Sequence, residues 1–256
     1  MIKNKTVKQR QQLEQSNVLI FNGNYLYISL FTELGATVLT ADSLASVEVE
    51  DMMPKLTAVL FTGGADVNPL LYGGIHTNIS MINPHRDTIE QKLFEMALAH
   101  SVKITGICRG FQFINVMCGG KMYQDISNHA GFIHGVTYPA TGKQTMVIST
   151  HHQLVMPPNN AIPVAWSSSN RSISYIGPNT NVIEGPEHEI ESAVFPEYNA
   201  FGVQFHPEMS ERGIEGRDYY LEVMADFLTL PIDEFVSLYG YRGKSYDESK
   251  CRGEYK

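Results

Sequence analysis

Four short runs of β-branched and aliphatic residues, Asn17 to Phe21, Thr37 to Thr40, Ala58 to Phe61 and Lys103 to Ile107, constrain the fold more than any other feature of the sequence. Each has the length of a buried strand, and longer segments that can be helical lie between them. The clearest is Ile89 to His100, where Ile89, Leu93, Met96 and Ala97 fall on one helical stripe. Strands alternating with helices predict βαβ units on a parallel sheet. After residue 120 the pattern changes. Strand-like pieces at Thr145 to Ser149, Val164 to Trp166, Val182 to Ile183, Ser192 to Phe195 and Phe201 to Phe205 follow one another, with Gly, Pro, Asn and Ser between them. That spacing predicts added antiparallel strands in the C-terminal half rather than a second domain. A last amphipathic segment, Asp218 to Leu228, reads as a helix that stops before Pro231. The expected organisation is one α/β domain over 16–230, with a polar N-terminal extension (1–15) and a polar C-terminal tail (231–256).

Charge and cysteine usage narrow the function classes. The net charge of −8 comes with no long basic run, so neither nucleic acid nor an anionic membrane surface is an expected partner. No stretch approaches the roughly 18 apolar residues of a membrane span. Met1 to Gln15 carries Lys3, Lys5, Lys8 and Arg10 but no apolar core of a secretory signal. Three cysteines, Cys108, Cys118 and Cys251, are too few and too scattered for a disulfide framework or a zinc site. A soluble cytoplasmic protein without a cofactor is the expectation.

The chemistry concentrates in three places. Gly106-Ile107-Cys108-Arg109-Gly110 follows the Lys103 run and has the form of a nucleophile elbow with Cys in place of Ser. The flanking glycines suit a sharp strand-to-helix turn, and a cysteine at a helix N-terminus is favoured as thiolate. Taken alone, the same pattern fits a buried core cysteine, so it needs a base. Phe201 to Glu208 supplies one: an apolar strand ends in His206, and Pro207 biases His206 to an extended conformation. Residues i and i+2 of an extended chain project to one side, which places Glu208 on the imidazole of His206. Third, Leu60 to Pro69 runs an apolar strand into Gly63-Gly64. Gly64 is the candidate oxyanion donor beside the amide of Arg109, although for this element taken alone an ordinary glycine turn is the favoured reading.

Gln112 lies one helical turn after Cys108, on its face. His151 and His152 invite a metal reading. Adjacent residues on an extended segment point to opposite sides, however, and no Cys or carboxylate nearby completes a ligand set, so no metal is expected. Asp87 or Thr88 reads as the N-cap of the Ile89 helix.

Taken in order, Thr62 to Pro69, Arg86-Asp87, Gly106 to Gln112, Ser149 to Gln153 and His206-Pro207-Glu208 resemble class I glutamine amidotransferase-like proteins. Within that family the γ-glutamyl-γ-aminobutyrate hydrolase-like branch is the most similar, over roughly Leu56 to Glu208. The resemblance implies a flavodoxin-like, mostly parallel sheet flanked by helices. It also implies a Cys108–His206–Glu208 triad acting on a small γ-glutamyl amide through a thioester. Gly64 and Arg109 would form the oxyanion hole, with Gln112 and His151 on the substrate side. Two other readings stand beside it: a glutaminase subunit that supplies ammonia to a separate synthase, and an inactive relative that only binds. Arg109 after Cys108 leans toward the hydrolase branch. A homo-oligomer or a synthase partner is compatible with either catalytic reading.

Overall fold

The computed structural model describes residues 5–41 and 46–243; Cys251 and the end of the C-terminal tail lie outside them. The helices are α1 (Val7–Glu14), α2 (Tyr25–Glu33), α3 (Ser46–Met52), α4 (Pro84–Ala99), α5 (Arg109–Met117), α6 (Glu215–Thr229) and α7 (Ile232–Tyr239). The strands of the main sheet are β1 (Asn17–Phe21), β2 (Thr37–Ala41), β3 (Ala58–Phe61), β4 (Lys103–Ile107), β5 (Phe132–Tyr138), β6 (Lys143–Ser149), β7 (Ile162–Ser167), β8 (Ile190–Phe195) and β9 (Ala200–Val203). They run in the order β2-β1-β3-β4-β9-β8-β7-β5-β6.

The first five of these are parallel neighbours and the remaining pairings are antiparallel. This is the α/β sheet with antiparallel additions that the alternation predicted. Strand period explains why the inner parallel strands are mostly apolar. Val18 and Ile20 of β1 pack with Leu30 and Phe31 of α2 and with α6, whereas Leu19 and Phe21 pack with Leu93 and Phe94 of α4 and with α5. Both faces of β1, β3 and β4 are covered, whereas the edge strand β2 leaves Thr37 and Thr40 exposed.

Several expected boundaries move. The helix expected from Ile89 begins at Pro84, because the Asn83 side chain accepts from Arg86 N–H at 3.1 Å and caps it. Asp87 and Thr88 are therefore inside the helix. The Phe201 strand ends at Val203, and Val182 makes only an isolated bridge to Ile176. The two ends assigned to polar extensions are partly packed. Lys5 pairs with Asp226 at 2.5 Å and Leu13 of α1 is buried. In α7 Phe235 is wholly buried against Phe201 and Phe227, and Tyr239 donates to Asp226 at 2.6 Å. No helix among the described residues is long and apolar enough to cross a membrane.

Candidate active site

The parallel register brings the C-terminal ends of β3, β4 and β9 side by side, where open α/β sheets gather their ligands. The turns leaving those strands carry Gly63-Gly64, Cys108 and His206. They converge closely: a methyl group on Gly63 would lie 3.2 Å from His206 Cε1 and 3.7 Å from Cys108 Cβ. Around them is a cavity of about 370 Å³, bordered by Tyr27, Gly64, Cys108, Gln112, His152 and His206.

Cys108 occupies a sharp elbow. Its φ of 53° and ψ of −110° lie outside the ordinary range of a side-chain-bearing residue, and α5 begins at the next residue. The elbow closes only because its neighbours are glycines: a Cβ on Gly106 would overlap the backbone of Gly110, and one on Gly110 would overlap the Phe61 carbonyl. The Cys108 N–H donates to Val203 O at 2.8 Å, which ties the elbow to β9. The second described cysteine, Cys118, ends α5, and burial pushes its thiol far up.

Pro207 keeps His206 out of the helical region, at φ −110° and ψ 82°, but Glu208 follows in a short 3₁₀ turn (Pro207–Met209) rather than in the expected extended chain; that turn still leaves His206 Nδ1 2.6 Å from Glu208 Oε1. A carboxylate only accepts, so Nδ1 carries the proton and Nε2 faces the cavity side. There Nε2 meets the Thr150 hydroxyl at 2.7 Å. Burial alone would lower His206. Charge and hydrogen bonding from Cys108 and Glu208 outweigh it and hold the imidazolium up to about 10. Sequence reasoning did not single out Thr150, although it sits in the segment noted for its histidines.

A buried ionic network sets the glycine turn. Arg86 Nη1 donates to Gly63 O at 2.9 Å, Nη2 donates to Thr62 O at 2.8 Å, and Nε pairs with Glu90 at 2.8 Å. A trans peptide points its N–H opposite to its C=O. With the Gly63 carbonyl held on Arg86, the Gly64 N–H is turned away from α4, and Gly64 borders the cavity. Gly64 has φ 142°, a conformation open to glycine. The Arg109 side chain is buried, pairs with both Asp87 and Glu90, and donates to Ala65 O at 3.1 Å. Burial and the neighbouring Arg86 cation lower Arg109, while Asp87 pulls it back up. Asp87, expected as a cap, thus serves as an anchor for the helix that begins at the elbow. Tyr27 was also not singled out; its hydroxyl accepts from Gly63 N–H at 3.1 Å.

The remaining expected site residues divide. Gln112 borders the cavity, and its amide nitrogen lies 3.3 Å from both Gln153 O and Gln204 Oε1. His151 also borders the cavity, but neither ring nitrogen opens to it: Nδ1 lies 2.8 Å from Gln153 O, and Nε2 is buried toward Glu191. His152, at a bend in the chain rather than on an extended segment, points the other way and sits between Asp66 and Asp125. Hydrogen bonding to Asp66 leads the effects that raise His152 to about 9, against the cost of burial. Beyond His206 and the buried, paired Arg109, the cavity lining carries a cation, His152, beside a carboxylate, Asp66.

Comparison with known proteins bears on the family and the fold. The peptidase C26 family model matches residues 3–208. A glutamine amidotransferase-like protein, YvdE, of Lactococcus lactis subsp. lactis is 30% identical over 192 residues, covering 71% of this chain and 78% of its own. The carbamoyl phosphate synthase small chain of Lactococcus lactis subsp. cremoris is 33% identical over 107 residues, 42% of this chain and 26% of that one. Among solved structures, a GMP synthase component from Thermoplasma acidophilum superposes with a TM-score of 0.56 at 15% identity, over 84% of this chain and 92% of that one. That likeness is one of fold.

Proposed function

The chain belongs to the peptidase C26 family of class I glutamine amidotransferase-like proteins, whose chemistry is cysteine-dependent amide hydrolysis, and from that premise we propose that it cleaves a γ-glutamyl amide through a thioester on Cys108. The observation that carries the reading is the pairing of His206. Its Nδ1 is fixed by Glu208 at 2.6 Å while the rest of the ring faces the elbow that holds Cys108.

In this mechanism the Cys108 thiolate attacks the γ-carbonyl carbon of the substrate. Negative charge moves to the carbonyl oxygen, which the N–H groups of Gly64 and Arg109 receive. The C–N bond then breaks as the His206 imidazolium gives its proton to the leaving amine, and a γ-glutamyl thioester remains. Water enters, His206 takes its proton, and a second oxyanion collapses to release glutamate and the thiol. Glu208 holds the imidazole in one tautomer throughout and stabilises its charged form. Tyr27 and Arg86 position the Gly63-Gly64 turn. His152 and Asp66 suit the zwitterionic end of a γ-glutamyl group, a carboxylate beside an ammonium.

A second reading, an ammonia-donating subunit, draws on the similarity to the carbamoyl phosphate synthase small chain. One experiment separates the two. Glutamate release is measured from glutamine, γ-glutamyl-γ-aminobutyrate, γ-glutamyl-putrescine and a γ-glutamyl dipeptide, with Cys108→Ala as control. Turnover of a γ-glutamyl amine well above that of glutamine is expected. Slow hydrolysis of glutamine alone would favour the donor subunit, and silence on all four would leave a binding protein.

A further inference from the structure

On the antiparallel side of the sheet, five ionisable side chains pack together out of contact with solvent. They are His129, His134, His151, Glu189 and Glu191, none more than 3% exposed. Partners at the rim of this cluster fix where the protons lie. His129 Nε2 is 2.9 Å from Glu189 Oε2, so this nitrogen is the protonated one. His151 Nδ1 is 2.8 Å from the carbonyl of Gln153, with the same consequence. His129 Nδ1 and His151 Nε2 are then bare lone pairs. Both turn inward, 3.8 Å and 3.7 Å from Glu191 Oε1. His134 Nε2 donates to that oxygen at 3.1 Å and steadies the carboxylate. Among the described residues His129 Nδ1, His151 Nε2 and Glu191 Oε2 have no hydrogen-bond partner.

Two bare imidazole nitrogens facing one carboxylate, with only His134 donating into the group, are costly in a dry interior. The cost is compounded by charge, because the two ionised carboxylates bring two negative charges into the cluster. A divalent cation at the meeting point would satisfy the lone pairs and neutralise the cluster together.

We propose that His129 Nδ1, His151 Nε2 and Glu191 form a binding site for a divalent transition-metal ion of the zinc type. The ligand atoms lie within 4.8 Å of one another. Tetrahedral zinc, with bonds of about 2.0–2.2 Å, sets its ligands roughly 3.3–3.5 Å apart, so closing gaps of up to about 1.4 Å takes shifts of about 0.7 Å or less per ligand atom. Two imidazoles with one carboxylate favour such an ion over calcium or magnesium, which take oxygen shells. The outer partners match what metal-bound histidines use, a carboxylate on one ring and a backbone carbonyl on the other. Glu189 is itself held by the N–H groups of Arg171 and Ser172 and by the Tyr175 hydroxyl, at 2.8–3.0 Å. The bound ion would lock the Thr150–Gln153 segment to β8, and so fix the Thr150 hydroxyl against His206. The proposal stands apart from the hydrolytic reading.

The test uses the full chain with Cys108→Ala, so that the thiol at the elbow captures no metal. Chelator-stripped protein is titrated with zinc chloride by calorimetry and with cobalt(II) chloride by visible absorption. One equivalent of zinc, cobalt bands typical of a nitrogen–oxygen site and a raised thermal midpoint are expected. Glu191→Gln keeps an acceptor for His134 but removes the anionic ligand, and should weaken binding by at least about 100-fold, whereas the outer change Glu189→Gln should cost about 10–100-fold. Circular dichroism confirms that each variant is folded. Cobalt broadening of the His129 and His151 ring resonances in the Cys108→Ala protein provides a readout that needs no further variant. The proposal is overturned if folded protein binds no stoichiometric zinc, if the variants bind as the Cys108→Ala protein does, or if broadening falls on other histidines.

Discussion

Arg86→Lys isolates what one peptide orientation contributes to the reaction. The guanidinium spans Thr62 O at 2.8 Å, Gly63 O at 2.9 Å and Glu90 at 2.8 Å in one plane. Lysine keeps a cation beside Glu90, but a single ammonium does not reproduce that fork. The Gly63–Gly64 peptide then loses the contact that turns the Gly64 N–H toward the cavity, and two glycines offer little backbone resistance to its rotation. Removing one oxyanion donor costs about 10²–10³ in kcat, or about 2.7–4 kcal/mol. Because lysine can still reach one of the two carbonyls part of the time, the lower end applies. A fall of about 100-fold in kcat is expected, with KM changed by less than about threefold. The assay is glutamate release on the best substrate of the panel, run beside the rate of Cys108 alkylation by iodoacetamide. Alkylation needs the thiolate and no oxyanion hole, so it should stay near the parent rate. Retention of kcat within about threefold in a folded variant would refute the reasoning, given the size expected for a lost donor. So would alkylation falling in step with kcat, because Arg86 would then act on the thiol.

Three further outcomes are expected. Glu208→Gln removes the anionic partner of His206 Nδ1 and should lower kcat by about 10²–10⁴ with little change in KM; steady-state kinetics that place the loss mainly in KM would contradict an orienting role. His206 has its pKa raised from 6.5 to about 10, so the protonated form needed for the leaving amine persists below that pH and is lost above it. The alkaline limb of kcat/KM should therefore lie near pH 10, and a limb near the ordinary histidine value of about 6.5 would show that the charge partners do not hold. Phe235→Ala should destabilise the protein by about 3–5 kcal/mol in urea unfolding, with activity per folded molecule unchanged, because the ring is wholly buried among Phe201, Phe227 and Tyr239.

That last substitution falls in a region where the sequence was misleading. α7 was assigned to a polar tail because Pro231 ends α6 and the residues beyond Tyr241 are charged. Yet Phe235, Val236 and Tyr239 form a helical stripe that could have been recognised. α1 had no such signal. Leu13 is its one buried residue, and its attachment comes from Lys5 and Gln9 reaching Asp226 of α6. Ion pairs between distant segments leave no periodicity in a sequence. The parallel sheet was readable for the opposite reason. Burial on both faces makes β3 and most of β1 unbroken apolar runs, and local composition reports that directly.

The site divides along the same line between local and distant determinants. The Gly106 to Gly110 elbow and the His206–Glu208 pairing each depend on geometry within five residues: a helix start, a turn crowded enough to need glycine, and a short 3₁₀ turn at Pro207–Met209 that brings the pair together where an extended alignment was expected. What orients Gly64 is not local, because Arg86 reaches it from another element and Asn83 takes the capping role that would have occupied Asp87. His151 and His152 show the limit most clearly. The rule that neighbours on an extended segment point apart gives the right outcome although the chain bends at His152, with His152 turned to Asp66 and Asp125 and His151 turned inward. The conclusion drawn from it, that no ligand set could form, assumed partners nearby in sequence. His129 and Glu191 arrive from an upstream loop and from β8, brought together only when β5, β7 and β8 pair. Parity along one strand limits where a side chain can point, and the topology of the sheet decides what it meets there.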